Sequence, residues 1–352
     1  QVCPFGAISE VMRPCMRACS VNAVKMDENR KAMIDHDKCI SCGACVQQCP
    51  FGAIVDKSFV MNVLNLLRDS WNNTSYHVYA VVAPAVASQY TGIKVGQVFA
   101  GIKELGFYDV VEAAIAGDMV SVEEAKEFVE TIEEKKWKTT SCCPAFVEYV
   151  RKNHPEYMDH VSTVVSPMIA MARAIRAKDR KARIVFIGPC AAKKLEANRK
   201  SVRSDVDFVL TFEELLGMFD AKEIDFKTLE ADPADGMDEG SGFGRGFAVG
   251  GGVAAAVVEA IKHIDPDREI LIEYGDGLKE CRKMLAMAKA GKRNGYLLEG
   301  MGCPGGCVAG AGTLRPVKES TASVERFKNA ASSMSTTESP YLGRLKDVEE
   351  KC

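Results

Sequence analysis

Cysteine is the residue whose placement could do chemistry in this chain. There are 14 in 352 residues. Seven lie before residue 50: Cys3, Cys15, Cys19, Cys39, Cys42, Cys45 and Cys49. Five more form three later groups, Cys142 with Cys143, Cys190 alone, and Cys303 with Cys307, while Cys281 and Cys352 stand apart. The number is too small for a disulfide scaffold, and clustering of this kind points to metal or redox chemistry.

The first group contains Cys39-x2-Cys42-x2-Cys45-x3-Cys49-Pro50, the run found in bacterial ferredoxins. Three closely spaced thiolates can face one [4Fe–4S] cube while the fourth points at a neighbouring cube. Gly43 lets the backbone wrap tightly. A zinc knot would instead want two separated Cys-x2-Cys pairs. Cys15-x3-Cys19 fits the last two cysteines of a sister run, so Cys19 is expected to complete the Cys39, Cys42 and Cys45 cube. Cys49, Cys15 and Cys3 would then belong to a second cube. Its fourth ligand is either of an unidentified kind or lies before Gln1. Cys3-Pro4 reads like the end of an earlier run, which favours an N-terminal truncation. The phrase Cys-Pro-Phe-Gly-Ala-Ile occurs at Cys3–Ile8 and again at Cys49–Ile54, as expected of a duplicated small fold held by its clusters.

The later cysteines sit in Thr140-Ser141-Cys142-Cys143-Pro144, in Gly188-Pro189-Cys190-Ala191-Ala192-Lys193-Lys194-Leu195-Glu196, and in Glu299-Gly300-Met301-Gly302-Cys303-Pro304-Gly305-Gly306-Cys307. Cys143, Cys190, Cys303 and Cys307 are thus four thiols on three segments, each beside a strand end or a Gly-rich turn. Open α/β sheets bind ligands at such places, and four cysteines suit another cube. A single buried Cys is often inert; Cys281, mid-helix beside Leu278, Met284 and Leu285, reads that way.

The elements that must hold these groups follow from periodicity. Short β-branched runs at His77–Val82, Asp109–Ala114, Arg183–Ile187, Val206–Leu210 and Ile270–Tyr274 read as buried strands. Gly92–Leu105, Val122–Lys136, Pro167–Ala177, Gly252–His263 and Leu278–Ala290 read as helices. This alternation is an α/β pattern with mostly parallel sheets. Residues 58–75 read as an amphipathic helix and connector, Ala231–Gly246 as a long loop, and Ala331–Ser339 as a surface tail. Two domains are expected: an α+β ferredoxin-like unit over 1–57 and a catalytic domain over 58–352. With 45 basic and 48 acidic residues, net charge −3, no basic surface calls for nucleic acid. No apolar run reaches the ~20 residues of a membrane helix. Residues 1–20 lack the apolar core of a signal peptide. A cytoplasmic protein is therefore expected.

The three later segments resemble, in order and separation, the three signature motifs of the [FeFe]-hydrogenase family, and with the ferredoxin run the resemblance spans essentially the whole chain. It implies a two-lobed α/β catalytic domain around the H-cluster, a [4Fe–4S] cube joined through a cysteine sulfur to a two-iron unit with CO, cyanide and an amine-bearing dithiolate. Cys143, Cys190, Cys303 and Cys307 match the cube ligands, Cys307 the bridging one. Cys142 matches the proton-relaying cysteine beside the amine, Lys193 the lysine that donates to a cyanide, and Met301 a methionine near the two-iron unit. The family's proton route maps onto Glu124 (inner acid), Ser162 and Glu127 (outer acid). Without the resemblance, Glu124 and Glu127 read as a solvated helix face. A soluble electron carrier such as ferredoxin, separate maturation proteins, one or two accessory [4Fe–4S] clusters and an anaerobic setting are implied as well.

The chain departs from the prototypes at several points. Ala83-Pro84-Ala85 ends without the usual serine. Gly188 replaces a methionine before Pro189-Cys190, which is expected to leave room near the two-iron unit. Ala145-Phe146 replaces Gly-Trp, and Val165 and Met168 flank Ser166-Pro167 in a segment that is more polar in the prototypes. Lost donors around a metal site shift its potential. The expected function is reversible interconversion of protons, electrons and H2 by a divergent, slower or biased member. The alternative is a slow H2-sensing hydrogenase that signals to a partner. A non-catalytic iron–sulfur assembly relative would be expected to lack Cys142, Lys193 and the glutamate pair.

Overall fold

The computed structural model describes residues 12–230, 240–339 and 342. Cys3 and Cys352 lie outside the described residues, as does the whole of the first Cys-Pro-Phe-Gly-Ala-Ile phrase.

Residues 12–57 form a small unit: α1 (Pro14–Ala18), the antiparallel pair β1 (Val24–Met26) and β2 (Ala32–Ile34), and α2 (Ala44–Gln47). Its own buried apolar side chains are few, Cys15, Ala23, Val24 and Ile40, so it leans on the rest of the chain. Gln47 donates to the Ala309 carbonyl, Lys152 to the carbonyls of His36 and Cys39, and Lys194 pairs with Asp56 at 2.7 Å. At Gly43, φ is +79°, and a Cβ would stand 2.4 Å from that of Ala311. The left-handed turn and the close approach both need glycine.

The remainder alternates as the sequence pattern requires: α3 (Val60–Asp69), β3 (Val78–Val82), α4 (Val95–Glu104), β4 (Asp109–Glu112), α5 (Ala113–Lys135), β5 (Trp137–Thr139), α6 (Pro144–Asn153), α7 (Pro167–Lys178), β6 (Arg183–Gly188), α8 (Ala191–Ala197), β7 (Phe208–Thr211), α9 (Phe212–Ala221), α10 (Gly242–Gly246), α11 (Gly252–Ile264), β8 (Leu271–Asp276), α12 (Leu278–Lys289), β9 (Tyr296–Met301) and α13 (Val317–Asn329). There are two parallel sheets, ordered β4-β3-β6-β7 and β5-β9-β8. The fold is the expected α/β class. In the first sheet the chain leaves β3 toward β4 on one side and returns to β6 on the other. The carboxyl ends of β3 and β6 therefore face a switch-point crevice.

Several boundaries differ from expectation. The strand beginning at Asp109 stops at Glu112, because Ala113 opens the 23-residue helix α5; nine helical residues precede the expected start at Val122. Thirteen residues of α5 are buried, so it shows little amphipathic period and only its polar half is legible as a helix. β5 and β9 go unread because β5 is three residues long and β9 runs into the Gly-rich third motif. Of the expected loop 231–246, residues 231–239 lie outside the described residues, while Gly242–Gly246 are helical with Ser241 capping through Gly244 N. Helix α11 abuts this turn so closely that a Cβ on Gly252 would fall 1.9 Å from the Gly246 carbonyl. The tail is not simply laid on the surface: Thr336 is fully buried and bonds Glu259 on α11.

One buried ion pair ties the end of β4 to α10. Arg245 donates Nε and Nη2 to the two oxygens of Glu112 at 3.0 and 2.8 Å, and its guanidinium lies 4.0 Å from the Phe327 ring centroid on α13. Both side chains are nearly sealed from water, 2% and 3% exposed. Removing one partner of such a pair strands the other charge. Arg245→Met is predicted to lower unfolding free energy by about 3–5 kcal/mol in urea titrations, and adding Glu112→Gln to recover part of that loss.

Candidate functional site

The four expected ligand cysteines arrive on three segments at one place. Cys143 follows β5 and starts α6. Cys190 follows β6 and starts α8. Cys303 and Cys307 follow β9. Together with Ala83, Pro84 and Ala85 beyond β3, they line one cavity. Cys142, Pro189, Lys193 and Met301 line it too. Every one of these residues sits just beyond the carboxyl end of a parallel strand or in the first turn of the following helix.

The electrostatics of this cavity are severe. Burial raises the Cys190 thiol to about 11, with Cys143 adding to the shift. Burial also drives Cys303 and Cys307 well upward, and in both the other cysteines of the set contribute. The only charged cavity-lining side chain is Lys193, and its ammonium pairs with Glu196 at 2.7 Å while reaching the Cys142 carbonyl at 3.3 Å. The Lys193 pKa is raised: burial opposes the charge, but Glu196 outweighs it. Among the described residues no three His, Cys, Asp or Glu side chains are grouped so as to hold a single metal ion. A cube takes one thiolate per iron and spreads its ligands more widely, so four half-buried thiols lining one cavity fit a cluster.

A second cavity lies alongside. Cys19, Cys39, Cys42 and Cys45 line it, with Phe59 and Lys194. Cys49 does not; its thiol, unburied, is lowered by backbone N–H groups of Phe51, Ala53 and Ile54. Cys15 is buried on α1. Cys42 borders both cavities and contributes to the upward shift of Cys303.

Glu124 and Glu127 project from α5 one turn apart, away from the cysteine cluster but joined to it. Ser141 N donates to Glu124 Oε1 at 2.9 Å, and the Ser141 hydroxyl stands 3.1 Å from the same oxygen. Burial raises the Glu124 carboxyl to about 7, and burial followed by Glu124's charge pushes the neighbouring Cys142 thiol up. Ser162 Oγ donates to Glu127 Oε2 at 2.6 Å. Glu127 goes the other way from Glu124: burial alone would raise it, but donors led by Lys138 hold it low. Unequal environments of this kind separate two carboxyls into an acid and a base.

The expected room beside Gly188 is absent. A Cβ there would stand 2.7 Å from the Phe186 ring and 3.1 Å from Ala83 Cβ, so Phe186 fills the space. Phe186, Met168, Ala145 and Ala85 make the wall apolar. Cys281 is a core thiol on α12, facing the carbonyls of Gly275 and Met301.

Several residues carry weight that the sequence reading did not assign. Ser141 anchors Glu124, and its place beside Cys142 was a usable signal. Glu299, fully buried at the start of the third motif, accepts from Gly251 N and Ala254 N and so caps α11. Burial raises its carboxyl to about 7, as it does that of Asp118, which Ser241 holds. Lys138, on an unread strand, gave no signal.

Glu124, Glu299 and Asp118 each have a folded-state pKa above the ordinary carboxylate value. Between that value and about 7 the folded chain holds more protons than the unfolded one, so its stability falls as pH rises through this window. Glu124→Gln cannot ionise. Between pH 5 and 7 its stability is predicted to fall less steeply than wild type, by up to about 1.4 kcal/mol per pH unit. Parallel slopes in urea titrations would show an unshifted Glu124.

The sequence profile described as "iron only hydrogenase large subunit, C-terminal domain" matches residues 76–311, and a 4Fe-4S binding domain matches 32–55. The NADP-reducing hydrogenase subunit HndD of Solidesulfovibrio fructosivorans is 30% identical over 78% of this chain, which spans only 55% of that relative's length. The periplasmic [Fe] hydrogenase large subunit of Nitratidesulfovibrio vulgaris is 30% identical over 81% of this chain and 87% of its own. A probable cytosolic Fe-S cluster assembly factor of Aedes aegypti is 26% identical over 86% of this chain and 76% of its own. A solved [FeFe]-hydrogenase from Chlamydomonas reinhardtii superposes with a TM-score of 0.67 at 21% identity, over 83% of this chain and 95% of that one, a likeness of fold. No helix among the described residues is long and apolar enough to cross a membrane. With its cysteine-lined cavity at the strand ends and a profile match over well over half its length, the chain belongs to the iron-only, or [FeFe], hydrogenase large-subunit family.

Proposed function

We propose that this protein interconverts protons, electrons and H2 at an H-cluster held in the cysteine-lined cavity. The observation that carries the reading is the convergence of Cys143, Cys190, Cys303 and Cys307 with Cys142 and Lys193 in one cavity. The first four would hold the cube, with Cys307 shared with the two-iron unit. That unit, when bound, supplies the metal chemistry that splits or forms H2. Lys193, ionised and buried, would present its ammonium to an anionic ligand. Ala83, Pro84, Ala85, Pro189 and Met301 would wall the two-iron unit and exclude water.

This chain's own part in turnover is proton movement. The Cys142 thiol, held neutral, exchanges a proton with the cavity on one side and toward Glu124 on the other. Glu124, near neutrality, is poised to give or take that proton, as general acid–base efficiency requires. Ser162 lies between Glu124 and Glu127. Electrons would pass from a soluble carrier such as ferredoxin through the cube of Cys19, Cys39, Cys42 and Cys45; Cys42, bordering both cavities, is the natural bridge. Cys49, with Cys15 and Cys3, would serve a second cube. Maturation proteins would load the two-iron unit, in an anaerobic cytoplasm.

The assembly-factor relatives define the rival reading, in which cubes are kept without H2 chemistry. Retention of Cys142 beside buried Glu124, and of the Lys193–Glu196 pair, supports the hydrogenase. The apolar wall of Ala83, Phe186 and Met168 favours a slow variant of it, in keeping with H2 sensing. Loaded protein is predicted to exchange H2 with D2O. Cys142→Ser should lower that exchange by 100-fold or more, taking general acid–base catalysis at about 10²–10⁴-fold, with iron content unchanged. No exchange by fully loaded wild type would overturn the reading.

A further inference from the structure

Glu127 occupies the outer end of the proton route, yet its surroundings are those of a fixed anion. Four groups donate to it. Lys138 Nζ lies 2.8 Å from Oε1, Thr163 Oγ1 3.0 Å and Thr163 N 3.1 Å from the same oxygen, and Ser162 Oγ 2.6 Å from Oε2. Thr163 N also stands 3.3 Å from Oε2. A carboxylate that accepts this many donors is stabilised in its charged form and takes a proton reluctantly. Lys138 is 4% exposed, and a buried ammonium contributes far more than a rim one. It reaches Glu127 from β5, across from α5, while the nearer charges on α5 itself, Glu123 and Lys126, pair with each other. The other carboxyl facing this end of the route is Glu124.

Ser162 shows the consequence. Its hydroxyl has one proton, committed to Glu127, and its oxygen accepts from Val164 N at 3.2 Å. Ser162 stands close enough to Glu124 to lower its carboxyl, and Glu124 Oε2 is buried with no hydrogen-bond partner. Ser162 therefore already points outward along the route, and the step that remains is acceptance of its proton by Glu127.

We propose that Lys138 is a lock on the outer end of the proton route. Its ammonium, with the two Thr163 donors, holds Glu127 as an anion that resists taking the proton Ser162 points at it. When the Lys138–Glu127 contact opens, Ser162 accepts a proton from Glu124 at Oγ and passes its own hydroxyl proton to Glu127. Lys138 acts through Glu127 and is a positioning residue. The lock would slow turnover through this chain's own side chains, and rests on the H2 reading only for that kinetic consequence.

The test separates the two. Full-length protein carrying its cubes but no two-iron unit is titrated by infrared difference spectroscopy, with Glu127→Gln identifying the Glu127 carboxyl signal. Glu127 is expected to stay ionised from pH 5 to 8 in wild type. In Lys138→Met its protonation should move up by at least about one pH unit, a tenfold change in proton affinity, and Lys138→Arg should restore the wild-type titration. Loaded Lys138→Met should exchange H2 with D2O several-fold faster than wild type. An unmoved Glu127 titration in Lys138→Met, failure of Lys138→Arg to restore it, or exchange that is unchanged or slower would each overturn the lock. If loaded wild type shows no exchange, the hydrogenase reading fails, while the titration still decides whether Lys138 fixes Glu127.

Discussion

Four half-buried thiols in one cavity are the constraint on which this molecule is built. A thiolate is the ligand form, and burial opposes it at Cys190, Cys303 and Cys307 alike, each made worse by its neighbours. Among the described residues that line the cavity, the one positive charge, Lys193, is already committed to Glu196. Only bound iron makes such a cluster of thiolates favourable, so metal loading and the integrity of the cavity are one free energy. The two parallel sheets serve that demand. Parallel strands deliver their carboxyl ends to one edge, and β3, β5, β6 and β9 each bring a segment of the site there. The first cube's unit cannot hold itself together, so it is anchored to the same framework beside α8.

The proton side obeys the same electrostatics with opposite outcomes. Glu124 and Glu127 are one helical turn apart on α5, yet one is raised toward neutrality by burial and the other held ionised by Lys138 and its companions. The first is what a relay wants. The second is what a fixed charge wants. On the proposed route, proton passage would wait on release of the fixed charge. The apolar wall of Phe186, Met168 and Ala83 acts in the same direction by withholding donors.

Much of this was legible in the residues. The candidate ligands could be named because cluster chemistry demands particular spacings and particular glycines, as at Cys39–Cys49 and Gly43, and the structure brings Cys143, Cys190, Cys303 and Cys307 to one cavity. The α/β class followed from alternation. What escaped depended on tertiary contact. Helix α5 hid its first two turns because burial on all sides erases its period. Phe186 occupies the space opened at Gly188, two residues away along the strand, and volume compensation across a cavity leaves no mark in a local pattern. Lys138 sits in a three-residue strand, where one lysine reads as solvent-facing until its partner on another element is known.

The account stands on the claim that the strand-end cysteines hold a cube joined to a two-iron unit. An infrared spectrum of anaerobically matured protein, in the region of metal-bound CO and cyanide stretches, tests it most directly. Bands that shift under H2 are predicted. Their absence from protein that carries its full complement of cube iron after maturation would contradict the account and leave an electron-transfer or assembly role.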